Sequence, residues 1–195
     1  VVEIGVLALQ GSVAEHLRML SRLPGVKPVE VKSKNELERV SGLILPGGES
    51  TTIGKLMRDF QLDRAIGERI EKGLPVWGTC AGMILLAKEI VEEPNTYLGA
   101  MDIRVRRNAY GSQLDSFTSS LRIDPVSNLP IPLVFIRAPW VERVYGSAEV
   151  LAALDGKIIA VRQGQMLATS FHPELTGDTA FHRFFAEMVF RTQGC

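Results

Sequence analysis

The sequence lacks most of the features that tie a chain to a broad class of partner. Its 195 residues carry 22 basic and 22 acidic side chains, so the formal net charge is zero. Binding to nucleic acid or to an anionic membrane surface draws on clustered lysine and arginine, and a balanced chain gives no electrostatic ground for either. Cysteine is scarce, occurring only at Cys80 and Cys195. A chain of this size has no need of one bridge, so a reducing cytoplasmic setting is expected. Long hydrophobic runs are missing: the most apolar stretch, residues 83–87, is closed by Lys88-Glu89, far short of the ~20 residues that cross a bilayer. The opening Val1-Val2-Glu3 has no basic segment and the chain turns polar at Gln10-Gly11, unlike a secretory signal. A soluble protein is expected. No pair of Cys or His has ligand spacing, so neither metal nor cofactor is expected. Repeats, linkers and low-complexity segments are absent as well.

What is present is an ordinary globular composition, 46% hydrophobic with 18 glycines and 10 prolines, in a length that suits one domain spanning residues 1–195. Residues 2–9 form a mostly apolar run, the pattern of a strand covered on both faces. Ser12 with Glu15 reads as a capping box opening a helix through Val13, Leu17, Leu20 and Leu23, which Pro24-Gly25 stops. A second strand over 26–31, a second capping box at Ser33 and Glu36, a third strand over 42–45, one or two helices over 51–73 and a fourth strand over 74–77 follow. This alternation predicts a right-handed, doubly wound parallel sheet. From Leu98 onward short alternating runs at 103–105, 133–136, 150–153, 157–161 and 166–169 predict antiparallel ribbon added to the core, and a final helix is expected over 178–192.

The chemistry concentrates at three turns. Gly78-Thr79-Cys80-Ala81-Gly82 follows an apolar strand and precedes a helical run over 83–90, the order of a nucleophile elbow. The flanking glycines allow a tight turn and close packing of helix on strand. A lone cysteine is more often a buried structural residue, but the strand end and paired glycines set Cys80 apart. An ordinary thiol is only about 3% ionised at pH 7, so a base is required. Of three histidines, His16 and His182 lie within helices and read as surface or packing residues. His172 belongs to Ser170-Phe171-His172-Pro173-Glu174, where Pro173 favours extended geometry and places Glu174 on the same side. Cys80, His172 and Glu174 thus complete a nucleophile, base and orienter. Pro46-Gly47-Gly48-Glu49-Ser50 ends another strand. Gly54-Lys55 lacks the glycine and hydroxyl that a phosphate loop requires, since Glu49 and Leu56 stand there. The amides of Gly48 and Ala81 suit an oxyanion hole instead.

These motifs resemble the class I, triad-type glutamine amidotransferases. The blocks Leu7-Ala8-Leu9-Gln10-Gly11 with Glu15-His16, Leu45-Pro46-Gly47-Gly48-Glu49-Ser50-Thr51-Thr52, Gly78-Thr79-Cys80-Ala81-Gly82, Arg107-Asn108 with Tyr110-Gly111 and Asp115-Ser116-Phe117, Phe135-Ile136-Arg137-Ala138-Pro139 and Ser170-Phe171-His172-Pro173-Glu174-Leu175-Thr176 are similar to those of the glutaminase subunits of pyridoxal 5′-phosphate synthase. The resemblance covers residues 4–191 with no departure at a motif position. It implies a flavodoxin-like α/β fold and hydrolysis of L-glutamine to glutamate and ammonia through a Cys80 thioester. His172 would serve as acid and base, Glu174 as its orienter, and Gly48, Glu49, Ser50, Arg107, Ile136 and Arg137 as glutamine contacts. A zwitterion needs an anion for its ammonium, which Glu49 supplies, and a cation for its carboxylate, either Arg107 or Arg137.

Three rivals share parts of this pattern: a cysteine peptidase with the same elbow, a non-catalytic binding module, and a glutaminase serving a different acceptor enzyme. The filled triad disfavours the second. The resemblance further implies a hetero-oligomer in which a synthase subunit receives the ammonia and switches the glutaminase on. Gly47-Gly48 is a peptide free enough to turn its amide, and Gln10, at the end of the first strand, is the expected partner contact.

Overall fold

A computed structural model describes residues 1–107 and 116–194. Asn108, Tyr110, Gly111 and Asp115 of the arginine block, and Cys195, lie outside the described residues. The chain begins β1 (Val2–Leu7), α1 (Val13–Leu20), β2 (Val26–Val31), α2 (Lys34–Arg39), β3 (Gly42–Leu45), α3 (Ser50–Asp59), α4 (Leu62–Glu71), β4 (Val76–Thr79) and α5 (Ala81–Leu86). It continues β5 (Ala87–Ile90), β6 (Met101–Arg106), β7 (Ser116–Ile123), β8 (Ser127–Ile136), β9 (Trp140–Val144), β10 (Glu149–Leu154), β11 (Lys157–Gln163), β12 (Met166–Thr169) and α6 (Ala180–Thr192). Among the described residues a ten-stranded sheet has the order β2-β1-β3-β4-β12-β11-β9-β6-β5, with β10 beside β11. The half from β2 to β12 is parallel, as the strand and helix rhythm predicts.

Side chains along these strands alternate between two core layers, the period-2 consequence of the pleat. Leu43, Leu45, Val76 and Ala168 face the layer under α3, α4 and α5. Ile44, Trp77 and Leu167 face the other, where α6 contributes Phe181, Phe185 and Val189. Trp77 stacks with Phe181 at 6.1 Å between centroids and tilts against Phe185 at 5.7 Å.

Several expectations are corrected. Ser12 does not cap α1 through its side chain; its hydroxyl is spent on Glu174 instead, at 2.7 Å. The Ser33 and Glu36 box does form. The segment over 51–73 is two helices because Gln61 takes a left-handed backbone, φ 55°, that ends one helix and starts the next. The helix after Cys80 stops at Leu86, and Ala87–Ile90 leaves it to pair with β6; helical and strand periods coincide over so short an apolar run, and the pairing decides. Antiparallel strands do extend the sheet at β11, β9 and β6, but β7 and β8 stand apart as their own two-stranded sheet, laid on the Trp77 layer through Ile131, Leu133 and Phe135. Met166–Thr169, expected in that ribbon, is antiparallel to β11 yet parallel to β4, with Thr169 opposite Thr79.

The glycines of the elbow show why α5 can sit so close to the sheet. A Cβ on Gly78 would strike the Gly82 carbonyl, and a Cβ on Gly82 would strike the Leu45 carbonyl on the neighbouring strand. Gly82→Ala should therefore cost about 1–3 kcal/mol through overpacking. Gly67, inside α4 with open space around its Cα, should gain roughly 0.5–1 kcal/mol as Ala. Urea midpoints of the two variants check both signs.

Candidate active site

β4 and β12 end side by side, and each delivers one reactive side chain beyond its last residue. Cys80 follows Thr79 with φ 50° and ψ −103°, a backbone in the left-handed region that β-carbon residues rarely adopt and that turns the thiol out of the sheet. Its amide is held by the Thr169 carbonyl at 2.8 Å and its carbonyl accepts from Met83 at 3.0 Å, so strand and helix fix the turn from both sides. Sγ lies 4.0 Å from the Ile136 carbonyl.

His172 comes three residues after β12, its amide donating to the Val134 carbonyl on β8 at 2.8 Å. Its imidazole borders the same cleft as the Cys80 side chain and donates from Nδ1 to Glu174 Oε1 at 2.7 Å on its other side. The pairing with Glu174 is the expected one, reached by a different route: Pro173–Leu175 is a single 3-10 turn, not extended chain. Pro173 serves as its first residue, where a missing amide proton costs nothing. Glu174 is buried, and Ser12 donates to the same Oε1 at 2.7 Å.

Burial alone would push the His172 imidazole down, but its hydrogen bonds and charge interactions with Cys80 and Glu174 outweigh that and raise it to about 10. Burial likewise resists ionisation of Glu174, and His16, His172 and Ser12 more than offset it, bringing the carboxyl to about 2. The pair is an imidazolium and a carboxylate at neutral pH.

A cleft of about 280 Å³ opens over Cys80 and His172. Its wall includes Gly48, Glu49, Ser50, Ala81, Arg107, Ile136 and Arg137, together with Gln10, so every candidate site residue except the buried Glu174 borders one cavity. Larger is the groove of about 640 Å³ beside α4, but interleaved residues of both signs, such as Lys34, Glu38, Arg64 and Glu68, line it and no nucleophile does. Glu49 is exposed in the cleft mouth. Arg107 donates to Tyr97 Oη at 2.8 Å and to Glu93 Oε2 at 3.1 Å, and also to Ser50 Oγ. Arg137 stands exposed at the rim with φ 41°. Gly47 lies flat on the His172 ring, where any Cβ would collide with Cε1. The Gly47 carbonyl accepts from the Ser12 amide at 3.0 Å, and Gln10 Oε1 accepts from the Glu49 amide at 2.8 Å.

Sequence reasoning missed Ser12, Glu93 and Tyr97; of the two alternatives it left for His16 and His182, surface or packing, the structure shows packing, both being fully buried. Tyr97 has a signal only in hindsight. Gly54 on α3 leaves the space its ring occupies. Ser12 and His16 are four apart, one helical turn, and both face Glu174.

Comparison with known proteins gives the same reading. The model of the SNO glutamine amidotransferase family matches residues 6–191. A pyridoxal 5′-phosphate synthase subunit PdxT from Ruminiclostridium cellulolyticum is 55% identical over 187 residues, 96% of this chain and 99% of that protein. One from Clostridium botulinum is 50% identical over 192 residues, 98% of this chain and 100% of that protein. A solved glutamine amidotransferase superposes with a TM-score of 0.90 at 47% identity, covering 95% of this chain and 98% of its own. With a family match over nearly its whole length and half its residues shared with such relatives, this chain belongs to the SNO glutamine amidotransferase family.

Proposed function

We propose that the chain is the glutaminase subunit of a pyridoxal 5′-phosphate synthase, a cytoplasmic single-domain enzyme hydrolysing L-glutamine to L-glutamate and ammonia for its synthase subunit. The observation that carries the reading is the line of Cys80, His172 and Glu174, the first two on the wall of a cleft that also presents Glu49 and two arginines, the third buried behind His172. Glu49 takes the substrate ammonium and Arg107 or Arg137 its carboxylate, leaving the side-chain amide over Cys80. The Cys80 sulfur attacks the amide carbon, and the amides of Gly48 and Ala81 receive the oxyanion. His172, already an imidazolium, gives its proton to the departing nitrogen, so ammonia leaves and a γ-glutamyl thioester remains. Neutral His172 then takes a proton from water, whose oxygen attacks the thioester and expels the sulfur as thiolate; glutamate leaves with one proton to solvent, and the thiolate and imidazolium from which the attack began are restored. Glu174 keeps the imidazole oriented and balances its charge throughout.

Cys80→Ala and Cys80→Ser should abolish glutamine hydrolysis with unfolding midpoints near wild type; residual turnover near wild type in Cys80→Ala would end the thioester mechanism. His172→Asn should be more damaging than Glu174→Gln, because the glutamate only stabilises a charge that the histidine carries.

The pH dependence has a definite sign. His172 must be protonated to release ammonia and its folded value is about 10, so the alkaline limb of turnover should lie near that pH. Glu174→Gln removes the carboxylate and should move the limb down. For stability, the raised His172 contributes fully below its unfolded value of about 6.5 and loses its contribution as pH climbs through about 10. Glu174, lowered, contributes above about 4.5 and loses it as pH falls through about 2. Both contributions are complete only between about 4.5 and 6.5. Rate profiles and urea midpoints against pH measure the two effects.

Partner docking is the expected switch. The Gly47 carbonyl is tied to Ser12 and the Glu49 amide to Gln10, so turning the Gly48 amide requires that the α1 entrance move. Glutamine turnover titrated with the synthase subunit should rise by about 10² to 10³, the usual worth of one oxyanion donor. Gln10→Ala should weaken that response; an unchanged response would remove Gln10 from the contact, and full activity without partner would remove the switch.

A further inference from the structure

Two histidines are buried behind Glu174, and the chemistry above uses neither. His16 on α1 and His182 on α6 are both 0% exposed. His16 Nδ1 lies 2.9 Å from His182 Nε2, and His16 Nε2 lies 3.1 Å from Thr79 Oγ1 and 3.5 Å from Glu174 Oε2. Trp77 meets both rings edge-on, at 5.8 Å and 5.0 Å between centroids, which fixes their planes.

The tautomers follow from what each nitrogen faces. Burial pushes both imidazoles down, so each carries a single proton. The groups around them are Glu174, His172 and Glu15 for His16, and His16, Glu174 and Arg22 for His182. A lone pair on His16 Nε2 would oppose the Glu174 carboxylate, so the proton belongs there. His16 Nδ1 is then an acceptor, and His182 Nε2 donates to it. That leaves His182 Nδ1, which has no hydrogen-bond partner among the described residues, as a bare acceptor. The reverse assignment would put an orphaned N–H in the core, the rarer and costlier defect.

We infer that His16 is a positioning residue for the triad: its Nε2–H, hydrogen-bonded to Thr79 Oγ1 at 3.1 Å, keeps the positive end of its dipole 3.5 Å from Glu174 Oε2, and His182 locks the tautomer that makes this possible. Oε1 already accepts from His172 and Ser12, whereas Oε2 is buried without a hydrogen-bond partner among the described residues, and His16 Nε2 at 3.5 Å is the polar group that faces it. Ser12 and His16 stand at the start and first turn of α1, so one helix holds both oxygens of the carboxylate. The inference rests on the glutaminase reading only for its kinetic consequence.

Protein labelled with ¹⁵N at histidine should show neutral Nε2–H signals for His16 and His182 across pH 6–8, where His172 stays protonated. A His16 Nδ1–H tautomer, or a charged His16 over that range, would overturn the inference, and this readout needs neither turnover nor a variant that folds. In glutamine hydrolysis with the synthase subunit bound, His16→Phe should lower kcat about tenfold with KM within about twofold. It should also raise the acid limb by about one pH unit, because Glu174 is more easily protonated without the donor. His16→Gln, which keeps an N–H at the Nε2 position, should recover most of the rate and return the limb. Equal losses in the two variants, or a change in KM alone, would assign His16 to packing and overturn the role.

Discussion

The parallel pairing of β4 with β12 is the constraint on which the site depends. Thr79 lies opposite Thr169, so the residues just past these two strands emerge at one edge of the sheet. One turns sharply into α5 and sets Cys80 in the cleft wall; the other runs on through Ser170 and Phe171 to His172. A slip of one residue in this register would reverse the faces of β12, moving Leu167 out of the layer it shares with Trp77 and carrying His172 away from the thiol. The core therefore enforces the approach of His172 to the thiol. Leu167, Trp77 and Phe171 are fully buried, and their packing favours this register over a slipped one.

Burial gives the polar contacts their strength and also their risk. An unpaired carboxylate at the place of Glu174 would lose several kcal/mol of hydration. Here the loss is met by two hydrogen bonds to Oε1 and by the field of the imidazolium. The same enclosure lets Cys80 and the Glu174 carboxylate together hold His172 protonated well above its ordinary range. An exposed pair with the same distances would be screened by water and contribute little.

The parallel half of the fold was legible because strands covered on both faces and helices with one apolar face leave strong local patterns. The Cys80 elbow and the His172-Pro173-Glu174 step were legible for a related reason, since each is a short motif whose geometry is local. What could not be read is long-range. Residues 166–169 look the same whether they join a ribbon or insert beside β4, and residues 87–90 continue a helical pattern until β6 claims them. Ser12 shows the limit well. Its spacing to Glu15 satisfies a capping box, yet a carboxylate 162 positions away takes the hydroxyl, because a charged acceptor in a buried site outbids a solvated helix end. The two buried histidines could be read only as surface or packing residues for the same reason: nothing in α1 or α6 alone says that the opposite helix supplies a partner.

The entrance to α1 joins what the motifs treat separately. Gln10 holds the Glu49 amide, the Ser12 amide holds the Gly47 carbonyl, and the Ser12 hydroxyl holds Glu174. Gly11 lies between them with φ 105°, and a Cβ there would collide with the Gly47 carbonyl, so this contact tolerates no side chain. The loop proposed to bind the oxyanion and the carboxylate proposed to orient the base thus share one support. A displacement of that support cannot change the first without straining the second. Electrostatic preorganisation and proton transfer are usually counted as independent contributions to catalysis, but in this chain a single short segment, exposed at Gly11, couples them mechanically.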